Sequence, residues 1–582
     1  MRPLTRGTTA ATALAVLAPA AVLLSGAPAT AAATTVDLVP LASFDSTSGR
    51  GEGGAEIVAF DPASRRVFIT NDPVLGPDRP SVDVVDLRDP SSPVPLPSID
   101  LASFDLASQR ASAVQSVAVS HGVLAVAVTL TSPQAPGAVL LYDAATSQFL
   151  RQAAVGALPD AVTFTPDGKS VVVANEGEAA CKGRTLVNPE GSVSIVDVAT
   201  GWVRTANLQA YNPLKVELQQ AGVRLVLPGE TVAQELEPEY STVSADGLTA
   251  YVTLQEANAV ATVDLVTATV TAIRGAGSVD FNVVPVDASD RDGPGGAALI
   301  NRRTRDVVGL VAPDGIASLD SKSGPVLLLA GEGDARDNLN ACGFPSDTAR
   351  LNSARVVLDP TAYPDSATIK ADRRADGYGR LNVSVVDGDT DRDGDIDQLT
   401  VLGSRSLRIV RPDGSLVFDT EDQLEALIAG RFPGSFNISS GLNDTTTFDA
   451  RSDDKGPEPE SVVVGRVGGR DLAFVALERV GGVATFEVTR PEATTLVGYD
   501  NPAIDGSSIG TSDRAPEGLV FVQAADSPNK RPLLLVSNEG LGTTTVYEVR
   551  LSRAAEQARE RRAAAGPRAA GLASTAPSRP VL

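Results

Sequence analysis

Short apolar stretches alternate with polar turns along most of the chain. In the clearest example, residues 159–164 alternate between apolar and polar positions, Pro-Asp-Gly occupies 166–168, and an apolar run fills 170–174. Alternation of period two predicts a half-buried strand, whereas a short continuous apolar run predicts a strand buried on both faces. Pro-Asp-Gly between two such stretches favours a hairpin, since Pro presets φ and Gly accepts a positive φ. The pattern predicts antiparallel strands joined by short turns.

Seven copies of this unit can be recognised along the chain. They begin at Ala55-Glu56, Gln115-Ser116, Pro159-Asp160, Glu237-Pro238, Pro313-Asp314, Pro457-Glu458 and Pro516-Glu517. Four short antiparallel strands per unit, repeated around an axis, are typical of the blades of a β-propeller. The last copy lacks a fourth strand after residues 543–549, and residues 36–41 offer one.

The sequence therefore predicts an all-β fold, a single seven-bladed β-propeller over residues 34–551 that is closed by an N-terminal strand. A β-sandwich or an open repeat array is the alternative. Neither would explain why the spare strand stands at the N-terminus while the last unit lacks one.

The fifth unit is interrupted at residues 334–404 by an insertion that carries an acidic loop. The acids of this loop are Asp389, Asp391, Asp393, Asp395 and Asp397. Their spacing, with Gly394 between them, predicts a calcium loop, although Thr400 stands where a helix–loop–helix site has its bidentate Glu. Residues 381–386 and 398–402 are predicted as flanking strands, so the loop resembles the calcium hairpins of integrin-type propellers. A second acidic stretch at 287–293 is either a weaker site or an ordinary loop.

Acids also recur at two places within the units themselves. An inner set precedes the first strand and comprises Glu56, Asp160, Glu239, Asp314, Glu460 and Glu517. An outer set ends the second strand and comprises Asp72, Glu176, Glu256, Glu332, Glu478 and Glu539. Because the second strand of a blade returns to the end at which the first began, both sets are predicted to lie at one mouth of the central channel. The second unit departs in both sets, with Gln115 and with Thr129-Leu130.

So many carboxylates at close range cannot all stay ionised without counter-charges. Hard oxygen ligands in number suit Ca²⁺, or Mg²⁺ where waters complete the shell. The channel mouth is therefore predicted as a metal site with calcium as the cofactor, and the identity of any second metal is left open. In the alternative, the acids cap turns or pair with nearby bases, namely Arg336, Arg451, Lys455, Arg479 and Arg514.

The charge of the chain narrows the choice of partners. Its 582 residues carry a formal net charge of −23, with 43% hydrophobic and 21% charged residues. A packed core is expected from that composition. So acidic a surface repels phosphate backbones and anionic lipids, which argues against nucleic acid and membrane surfaces as partners. We expect a monomer that attracts cations, or one that is acidic for solubility alone.

Residues 1–33 have the organisation of a secretory signal peptide. Arg2 and Arg6 form a basic start, an apolar run follows at 10–24, and small residues fill 29–33. The apolar run is short for a transmembrane helix, and later stretches are shorter. We therefore expect a secreted protein without a membrane span.

An exported chain changes the expectation for its two cysteines, Cys181 and Cys342. In an oxidising compartment a disulfide is favoured over a metal-thiolate site. Residues 552–582 form an Ala- and Arg-rich tail of low complexity, which we expect to be largely disordered.

Several common catalytic arrangements are excluded by composition. The one histidine, His121, lies in a Ser-His-Gly turn at the predicted far end of its unit, so a Ser-His-Asp hydrolase is not expected. The chain has no phosphate-binding Gly loop, dinucleotide fingerprint or zinc-type His/Cys spacing. Trp202, at the start of an outer strand, is predicted to serve packing. An enzyme of this sequence would have to work with metal and carboxylates.

The chain resembles the choice-of-anchor I family of extracellular propellers, which are related to mesenchyme-specific cell-surface glycoproteins. The resemblance covers residues 36–550 and rests on the segments 55–59, 158–160, 173–178, 236–240, 288–292, 332–337, 451–460 and 515–519. It implies a secreted propeller with a variable C-terminal anchor, and more loosely a likeness to metal-dependent propeller alkaline phosphatases. No sorting motif or terminal hydrophobic span is recognisable, so we expect release rather than attachment to a cell wall.

Three hypotheses of function follow. The first is a calcium-binding extracellular propeller that acts as a binding module for an unknown extracellular ligand. The second is a calcium-dependent phosphoesterase acting on a phosphorylated small molecule, with the inner acids as metal ligands and the candidate catalytic residues Arg336, Arg451 and Lys455 steadying the phosphate. The third is a purely structural propeller whose acids serve stability and solubility.

Overall fold

The computed structural model describes residues 34–46, 54–72, 80–101, 104–106, 108–439 and 447–553. The predicted signal peptide at 1–33 and nearly all of the predicted tail at 552–582 lie outside these residues. Residues Thr35–Ser552 form one compact unit. Within the part of the chain that is described, no helix is both long enough and apolar enough to cross a membrane.

Seven sheets of four or five strands account for most of the regular structure of the described residues. Sheet 1 contains Gly54–Asp61, Arg66–Asn71, Ser81–Asp86 and Val94–Asp100. Sheet 2 contains Gln109–Ser120, Val123–Leu130, Pro136–Asp143 and Phe149–Ala157, with the short strand Asp105–Leu106 added beside the first. Sheet 3 contains Pro159–Phe164, Ser170–Asn175, Ser192–Asp197 and Val203–Asn207.

The remaining four sheets follow in chain order. Sheet 4 contains Pro238–Val243, Thr249–Leu254, Ala259–Asp264 and Thr269–Gly275. Sheet 5 contains Ile316–Ser321, Gly324–Ala330, Leu407–Val410 and Leu416–Asp419. Sheet 6 contains Pro459–Val467, Arg470–Leu477, Val483–Glu487 and Thr495–Asp500. Sheet 7 contains Pro516–Val522, Leu533–Asn538 and Thr543–Arg553, and its fourth strand is the N-terminal segment Thr34–Asp45.

Smaller elements occupy the connections. The α-helices are Lys215–Gln220, Val232–Glu235, Ser366–Ile369 and Gln423–Arg431, and the 3-10 helices are Gln209–Leu214, Asn340–Cys342, Pro433–Ser435, Pro491–Ala493 and Glu539–Leu541. Ala180–Lys182 pairs with Thr185–Val187, Thr348–Arg350 pairs with Asn382–Ser384, and Val308–Leu310 pairs with both Ser278–Asp280 and Thr400–Leu402.

The first strands of the seven sheets contact one another in cyclic order, from sheet 1 to sheet 7 and back to sheet 1. Each pair of neighbouring sheets encloses its own apolar cluster. The second strand of sheet 3 shows how one strand serves two clusters. Val171 and Val173 pack toward sheet 2, whereas Val172 and Ala174 pack toward sheet 4. Both faces of this strand are therefore buried, which accounts for its continuous apolar run.

The insertion in sheet 5 builds a lobe with a core of its own. The chain leaves the sheet after Ala330 and returns at Leu407, a few residues outside the predicted limits of 334–404. The buried side chains of this lobe also come from the segment between sheets 4 and 5, for example Phe281 and Val286, which pack with Tyr363 of the insertion. The lobe thus combines two separate stretches of sequence.

The prediction that Trp202 serves packing is wrong. Its side chain is 63% exposed, and the guanidinium carbon of Arg204 lies 5.9 Å from the centre of its ring. Trp202 immediately precedes the fourth strand of sheet 3, which lies at the outer edge of that sheet. A side chain at that edge has fewer neighbours to cover it than one in the second or third strand.

Candidate functional site

The six inner acids of the sequence analysis meet in one cavity. Its volume is about 160 Å³, and its lining includes Glu56, Asp160, Glu239, Asp314, Glu460 and Glu517 together with Gln115. Each of the seven sheets therefore contributes one of these residues. The six acids lie near or just before the start of the first strand, and Gln115 lies in the middle of the longer strand Gln109–Ser120. The inner acids are neither fully buried nor on the outer surface, since they face this small enclosed space.

A local feature of the first strand directs the inner residues into the cavity. In six sheets the register between the first and second strands shifts at or beside this residue, as a β-bulge does. In four units a non-glycine residue with positive φ precedes a proline and the acid, namely Leu158, Ala312, Glu458 and Ala515. Residues other than glycine rarely adopt a positive φ. Its recurrence at these four equivalent positions therefore indicates a backbone conformation that the fold maintains at the cavity.

Outer acids join the inner ones to make two triplets suited to a cation. One oxygen each of Glu332, Glu460 and Glu478 lie within 4.8 Å of one another, and so do oxygens of Glu478, Glu517 and Glu539. In both triplets an inner acid stands between the outer acids of its own sheet and the preceding sheet. The arrangement is therefore repeated from sheet 6 to sheet 7, with Glu478 shared. Glu176, also an outer acid, lines the cavity directly.

Burial raises the pKa of every inner acid, and the carboxylates around it raise most of these pKa values further. The pKa of Asp160 rises to about 7 through burial and the charges of Asp314 and Glu178. The pKa of Asp314 rises to about 6. The pKa values of the four inner glutamates, Glu56, Glu239, Glu460 and Glu517, lie well above the usual range. Ionising the whole group is costly unless positive charge is supplied.

Five of the outer acids show the same effect. Burial raises the pKa of Asp72 to about 6 and of Glu478 to about 7. It raises that of Glu332 to about 8, although Lys455 opposes the rise. The pKa values of Glu176 and Glu256 also lie well above the usual range because both are buried among other acids.

Glu458 has a lowered pKa, unlike the inner and outer acids described above, because basic residues surround it. Burial alone would raise its pKa, but Lys455, Arg451 and Arg479 surround it and bring the pKa below the usual range. Arg451 lies 2.6 Å from Glu458, and Arg479 lies 3.3 Å from it. By contrast, the Oε2 atom of Glu460 is buried without a hydrogen-bond partner.

The three basic residues proposed to steady a phosphate all form ion pairs with carboxylates. Arg336 contacts Glu237 at 2.8 Å and donates a further hydrogen bond to the carbonyl oxygen of Glu235. Arg451 is bound by Glu458 and Asp454, and Lys455 donates to Glu332. A cation that is already paired offers little net charge to an incoming phosphate, so these contacts disfavour the predicted role in anion binding.

Two residues of the site were missed by sequence reasoning. Tyr240 lines the cavity beside the inner acids, and burial and the charges of Asp314 and Asp160 hold the pKa of its hydroxyl well above the usual range. Glu237 precedes the inner acid Glu239 by two residues and anchors Arg336. Tyr240 directly follows an inner acid, which is the only signal in the sequence that points to it.

The acids of the predicted calcium loop form two triplets instead of one. Oxygens of Asp389, Asp391 and Asp397 lie within 4.8 Å of one another. Asp359, Asp395 and Asp397 form the second triplet, and their oxygens also lie within 4.8 Å of one another. Asp359 was not among the acids predicted from the sequence. Asp393 belongs to neither triplet, and its carboxylate accepts a hydrogen bond from the backbone N–H of Asp395.

The loop is closed by its own hydrogen bonds. The backbone N–H and hydroxyl of Thr390 each donate to Asp397 at 2.8 Å, and the hydrogen bond from the hydroxyl is the main cause of the lowered pKa of that carboxyl. Gly394 has φ of +106°, which a residue with a side chain rarely adopts. Ile396 is buried in the core of the insertion lobe and fixes the end of the loop.

The expected hairpin around this loop is not found. The flanking segments do contain strands, Asn382–Ser384 and Thr400–Leu402, but these pair with different partners. The first pairs with Thr348–Arg350 and the second, in parallel, with Val308–Leu310. The likeness to calcium hairpins is therefore wrong for the strands, because longer-range pairings inside the lobe take both of them.

Acids of the stretch at 287–293 are held by hydrogen bonds to another segment of the chain. Asp287 is buried, accepts a hydrogen bond from the backbone of Asn301, and has a pKa raised to about 7 by burial and by Glu425. Asp292 accepts a hydrogen bond from the Asn301 side chain. These contacts favour the simpler of the two interpretations, an ordered loop.

Cys181 and Cys342 are joined by a disulfide across a sequence separation of 161 residues. It links the hairpin that follows the second strand of sheet 3 to the 3-10 helix in the insertion of sheet 5. Leu227, Leu339 and Phe344 pack around it.

Comparison with known proteins gives two curated relatives. Gigasin-3a of Magallana gigas is 33% identical over 186 residues, which are 30% of this chain and 64% of that protein. The mesenchyme-specific cell surface glycoprotein of Strongylocentrotus purpuratus is 27% identical over 216 residues, 33% of this chain and 28% of that protein. The matches thus span less than two thirds of either relative. Neither relative supports the looser likeness to alkaline phosphatases, which stays a prediction.

Solved structures that resemble the chain include hydrazine synthase of Kuenenia stuttgartiensis, with a TM-score of 0.42, 12% identity, and coverage of 87% of this chain and 96% of that one. The Cps50 (Swd1) beta-propeller domain of Myceliophteria thermophila has a TM-score of 0.41 and 9% identity, and covers 88% of this chain and 99% of that one.

The match to a family model is far more extensive. The model of the choice-of-anchor I domain matches residues 56–491, a range that includes most of the first strand of sheet 1, the first strands of sheets 2 to 6, the acidic loop and five of the six inner acids. The chain belongs to the choice-of-anchor I domain family.

Proposed function

We propose that this chain is an extracellular calcium-binding protein, a seven-bladed β-propeller whose carboxylate-lined channel mouth acts as a binding module. One observation carries the proposal: six acids from six different sheets converge on a single cavity of about 160 Å³. The seven sheets with first strands in cyclic contact support the propeller, because that is how blades surround a central channel.

The geometry of the mouth suits calcium. Two oxygens at the usual Ca²⁺–oxygen distance of about 2.4 Å from one ion lie at most about 4.8 Å apart, and every pair of oxygens within each triplet meets that limit. Glu460, a member of one triplet, has a buried oxygen without a hydrogen-bond partner, and such an oxygen is stabilised by a positive partner. Because Glu478 belongs to both triplets, two neighbouring cations could share it. A cation held here with open coordination positions would accept oxygen atoms of an extracellular ligand.

The acidic loop would hold a second type of calcium site, with a structural role. Asp389, Asp391 and Asp397 supply one group of oxygens, and Asp395 has a buried oxygen without a partner. Calcium bound by the other group, Asp359, Asp395 and Asp397, would tie the loop to a separate part of the insertion lobe.

An extracellular location rests on three observations. The sequence of residues 1–33 has the organisation of a signal peptide. A disulfide joins Cys181 to Cys342, and such bonds persist in oxidising compartments. One relative is by name a cell surface glycoprotein.

The phosphoesterase hypothesis is the second candidate, and the contacts of its proposed bases speak against it. Arg336, Arg451 and Lys455 are all paired with carboxylates, so a phosphate at the mouth would depend on metal alone for positive charge. The purely structural hypothesis requires that the mouth bind no cation at all.

The experiment is metal analysis of the purified protein followed by calcium titration calorimetry after chelation. We expect bound calcium, and we expect Glu460→Gln to weaken the mouth sites about tenfold or more, because it removes a central charged ligand of one triplet. The matched control is Glu492→Gln, at an exposed glutamate in the 3-10 helix Pro491–Ala493 of the same sheet's last connection. This variant should bind calcium as the unchanged protein does.

Hydrolysis of phosphomonoesters and phosphodiesters, measured with and without chelator, separates the hypotheses. Bound calcium without turnover supports the binding module. Chelator-sensitive turnover that Glu460→Gln abolishes would replace it with the phosphoesterase. Failure to bind calcium at millimolar concentration would leave only the structural hypothesis.

A further inference from the structure

A mainly apolar cavity lies beside the disulfide, away from the carboxylate ring formed by the inner and outer acids. It has a volume of about 530 Å³. Its walls come from three parts of the chain: Val226 and Leu227 before sheet 4, Leu339 and Phe344 around Cys342, and Val386 in the insertion lobe. A space of this size and composition is typical of a small-molecule site.

The disulfide fixes one wall of this cavity. Leu227, Leu339 and Phe344 pack in one cluster with Cys181 and Cys342, so the bond holds the two sides of the wall together. The backbone of the adjoining segment is also pinned. The N–H of Asp347 donates to the carbonyl of Arg336 at 3.1 Å, and the N–H of Val385 donates to the carbonyl of Asp347 at 2.8 Å. The cavity is therefore preformed.

One polar atom in the wall lacks a partner. Asp347 lines the cavity, is 4% exposed, and accepts a hydrogen bond from Arg224 on its Oδ2 atom. Its Oδ1 atom is buried and has no hydrogen bond. A buried acceptor without a partner is unfavourable, and a hydrogen-bond donor on a molecule in the cavity would satisfy it.

The charges around the cavity favour an uncharged donor. Arg224 forms ion pairs with both Asp347 and Asp387, so its single positive charge balances only one of the two carboxylates. Arg355, also in the lining, restores the balance and donates to the carbonyl oxygens of Ser346 and Thr348. Arg336 is neutralised by its pairing with Glu237, and an ammonium group would therefore add charge to a neutral site.

The shape of the wall favours a ring. Phe344 and the flat faces of Pro228 and Pro345 line the cavity. Aromatic rings pack well against aromatic neighbours in offset or edge-on contact.

We propose that this cavity binds a phenolic ring, whose apolar face packs between Leu339, Phe344 and Val386 and whose hydroxyl donates to Asp347. The ring could belong to a free phenol or to a tyrosine side chain, which present the same chemistry. This site is separate from the carboxylate ring and does not depend on calcium there.

The test is titration calorimetry on the full exported chain with 4-propylphenol and its methyl ether, 4-propylanisole, which keeps the shape but cannot donate. We expect saturable binding of the phenol and binding of the ether at least about tenfold weaker, because the ether leaves Asp347 unpaired. Equal affinities for the two, or no binding of the phenol, would overturn the proposal.

Variants place the binding in this cavity. Val386→Trp should fill it and abolish binding of the phenol, whereas Val283→Trp, at another exposed valine, should not. Asp347→Asn should reduce the preference for the phenol over the ether. If that variant fails to fold, as its melting curve would reveal, the ligand pair and Val386→Trp still decide. A Val386→Trp variant that binds like the unchanged protein would refute the site.

Two peptides distinguish the sources of the ring. Gly-Tyr-Gly should bind with the same sensitivity to Val386→Trp, and Gly-Phe-Gly should not bind, if the natural ligand is a tyrosine side chain. Binding of 4-propylphenol alone would assign the cavity to a small free phenol.

Discussion

Glu458 and Glu460, separated by one proline, have opposite environments. Glu458 is surrounded by Lys455, Arg451 and Arg479, whereas Glu460 belongs to a triplet of acids and has a buried oxygen without a hydrogen-bond partner. Glu237, two residues before Glu239, is neutralised by Arg336 in the same way. At these two positions an acid two residues ahead of the inner one anchors the loop and leaves the inner acid to face the cavity.

At this scale the repeat predicted the inner acids but could not predict their neighbours. Glu239 and Glu460 occupy equivalent places in their units, so the pattern identifies both. The partner of Glu237 is Arg336, which comes from the insertion of another unit, and Asp359 reaches the acidic loop through the fold of the lobe. Such pairings depend on three-dimensional packing between distant segments, of which the sequence carries no periodic signal.

A charge reversal separates the acidic loop from the mouth. Asp391→Lys should remove one calcium from the stoichiometry, because it places a cation within a triplet of carboxylates, and should leave the mouth sites unchanged. Calorimetric titration with calcium measures both classes of site. Asp526→Lys, at an exposed aspartate in a turn, is the matched control and should keep the full stoichiometry. Loss of the mouth sites in Asp391→Lys would contradict the separation.

At the scale of elements, the predictable strands were those with a local pattern. The alternation at 159–164 and the apolar run at 170–174 correspond to the first and second strands of sheet 3, Pro159–Phe164 and Ser170–Asn175. The lobe built around the insertion could not be foreseen. In the lobe, Val308–Leu310 pairs in parallel with Thr400–Leu402. The first segment precedes the first two strands of sheet 5 in the sequence, and the second follows them.

The N-terminal strand contributes core residues as well as hydrogen bonds. Leu38 is 4% exposed in the cluster between sheets 6 and 7, and its backbone N–H donates to Asp500 at 3.1 Å. Leu38→Ala should lower the free energy of unfolding by about 2 to 5 kcal/mol, because it leaves a cavity in packed surroundings. Urea denaturation measures the change.

The control for that strand is Leu416→Ala, the same substitution at a side chain that is 52% exposed. It should change the free energy of unfolding by less than about 1 kcal/mol. Equal effects of the two substitutions would mean that the N-terminal strand adds little to the stability of sheet 7.

The disulfide closes a long loop and should contribute accordingly. With a sequence separation of 161 residues between the cysteines, the entropy of loop closure corresponds to about 5 kcal/mol as an upper value. Replacing both Cys181 and Cys342 by Ser should therefore lower the midpoint of denaturation markedly, and adding a reductant to the unchanged protein should have the same effect. A double variant as stable as the oxidised protein would show that packing around Leu227 and Leu339 suffices.

For the whole molecule, the distribution of charge matters more than its total of −23. Two cations contact the outer acids of the ring, Lys455 at Glu332 and Arg479 at Glu478. Both contacts involve outer acids of sheets 5 and 6. Within the described residues, the inner and outer acids of sheets 1, 3 and 7 form no ion pair with a lysine or arginine. The ring is therefore a concentrated, unevenly compensated negative centre inside an acidic protein.

This centre should make the stability of the metal-free protein fall as the pH rises. Burial raises the folded pKa of Asp160 and Glu478 to about 7 and of Glu332 to about 8, above their unfolded values near 4. The folded state then holds protons that the unfolded state has released, so the contribution of these three groups to stability is fully present below about pH 4 and is lost toward pH 8. The melting temperature after removal of metal, recorded between pH 5 and pH 8, should decline.

Calcium should reverse that decline, because it supplies the positive charge that protons supply at lower pH. The rise in melting temperature on adding 2 mM calcium should be larger at pH 8 than at pH 5. A melting temperature of the metal-free protein that stays level or increases with pH would contradict the expected role of the ring.

The placing of Thr34–Asp45 beside Thr543–Arg553 also sets an order of events in time. The first structured segment to leave the ribosome must wait for nearly the last before it can find its place, since Thr35 contacts Ser552 across 517 residues. At ordinary rates of synthesis that delay is about 25 to 100 seconds. For that interval the N-terminal strand lacks its partner in sheet 7, and its unpaired backbone groups are open to pairing with another chain.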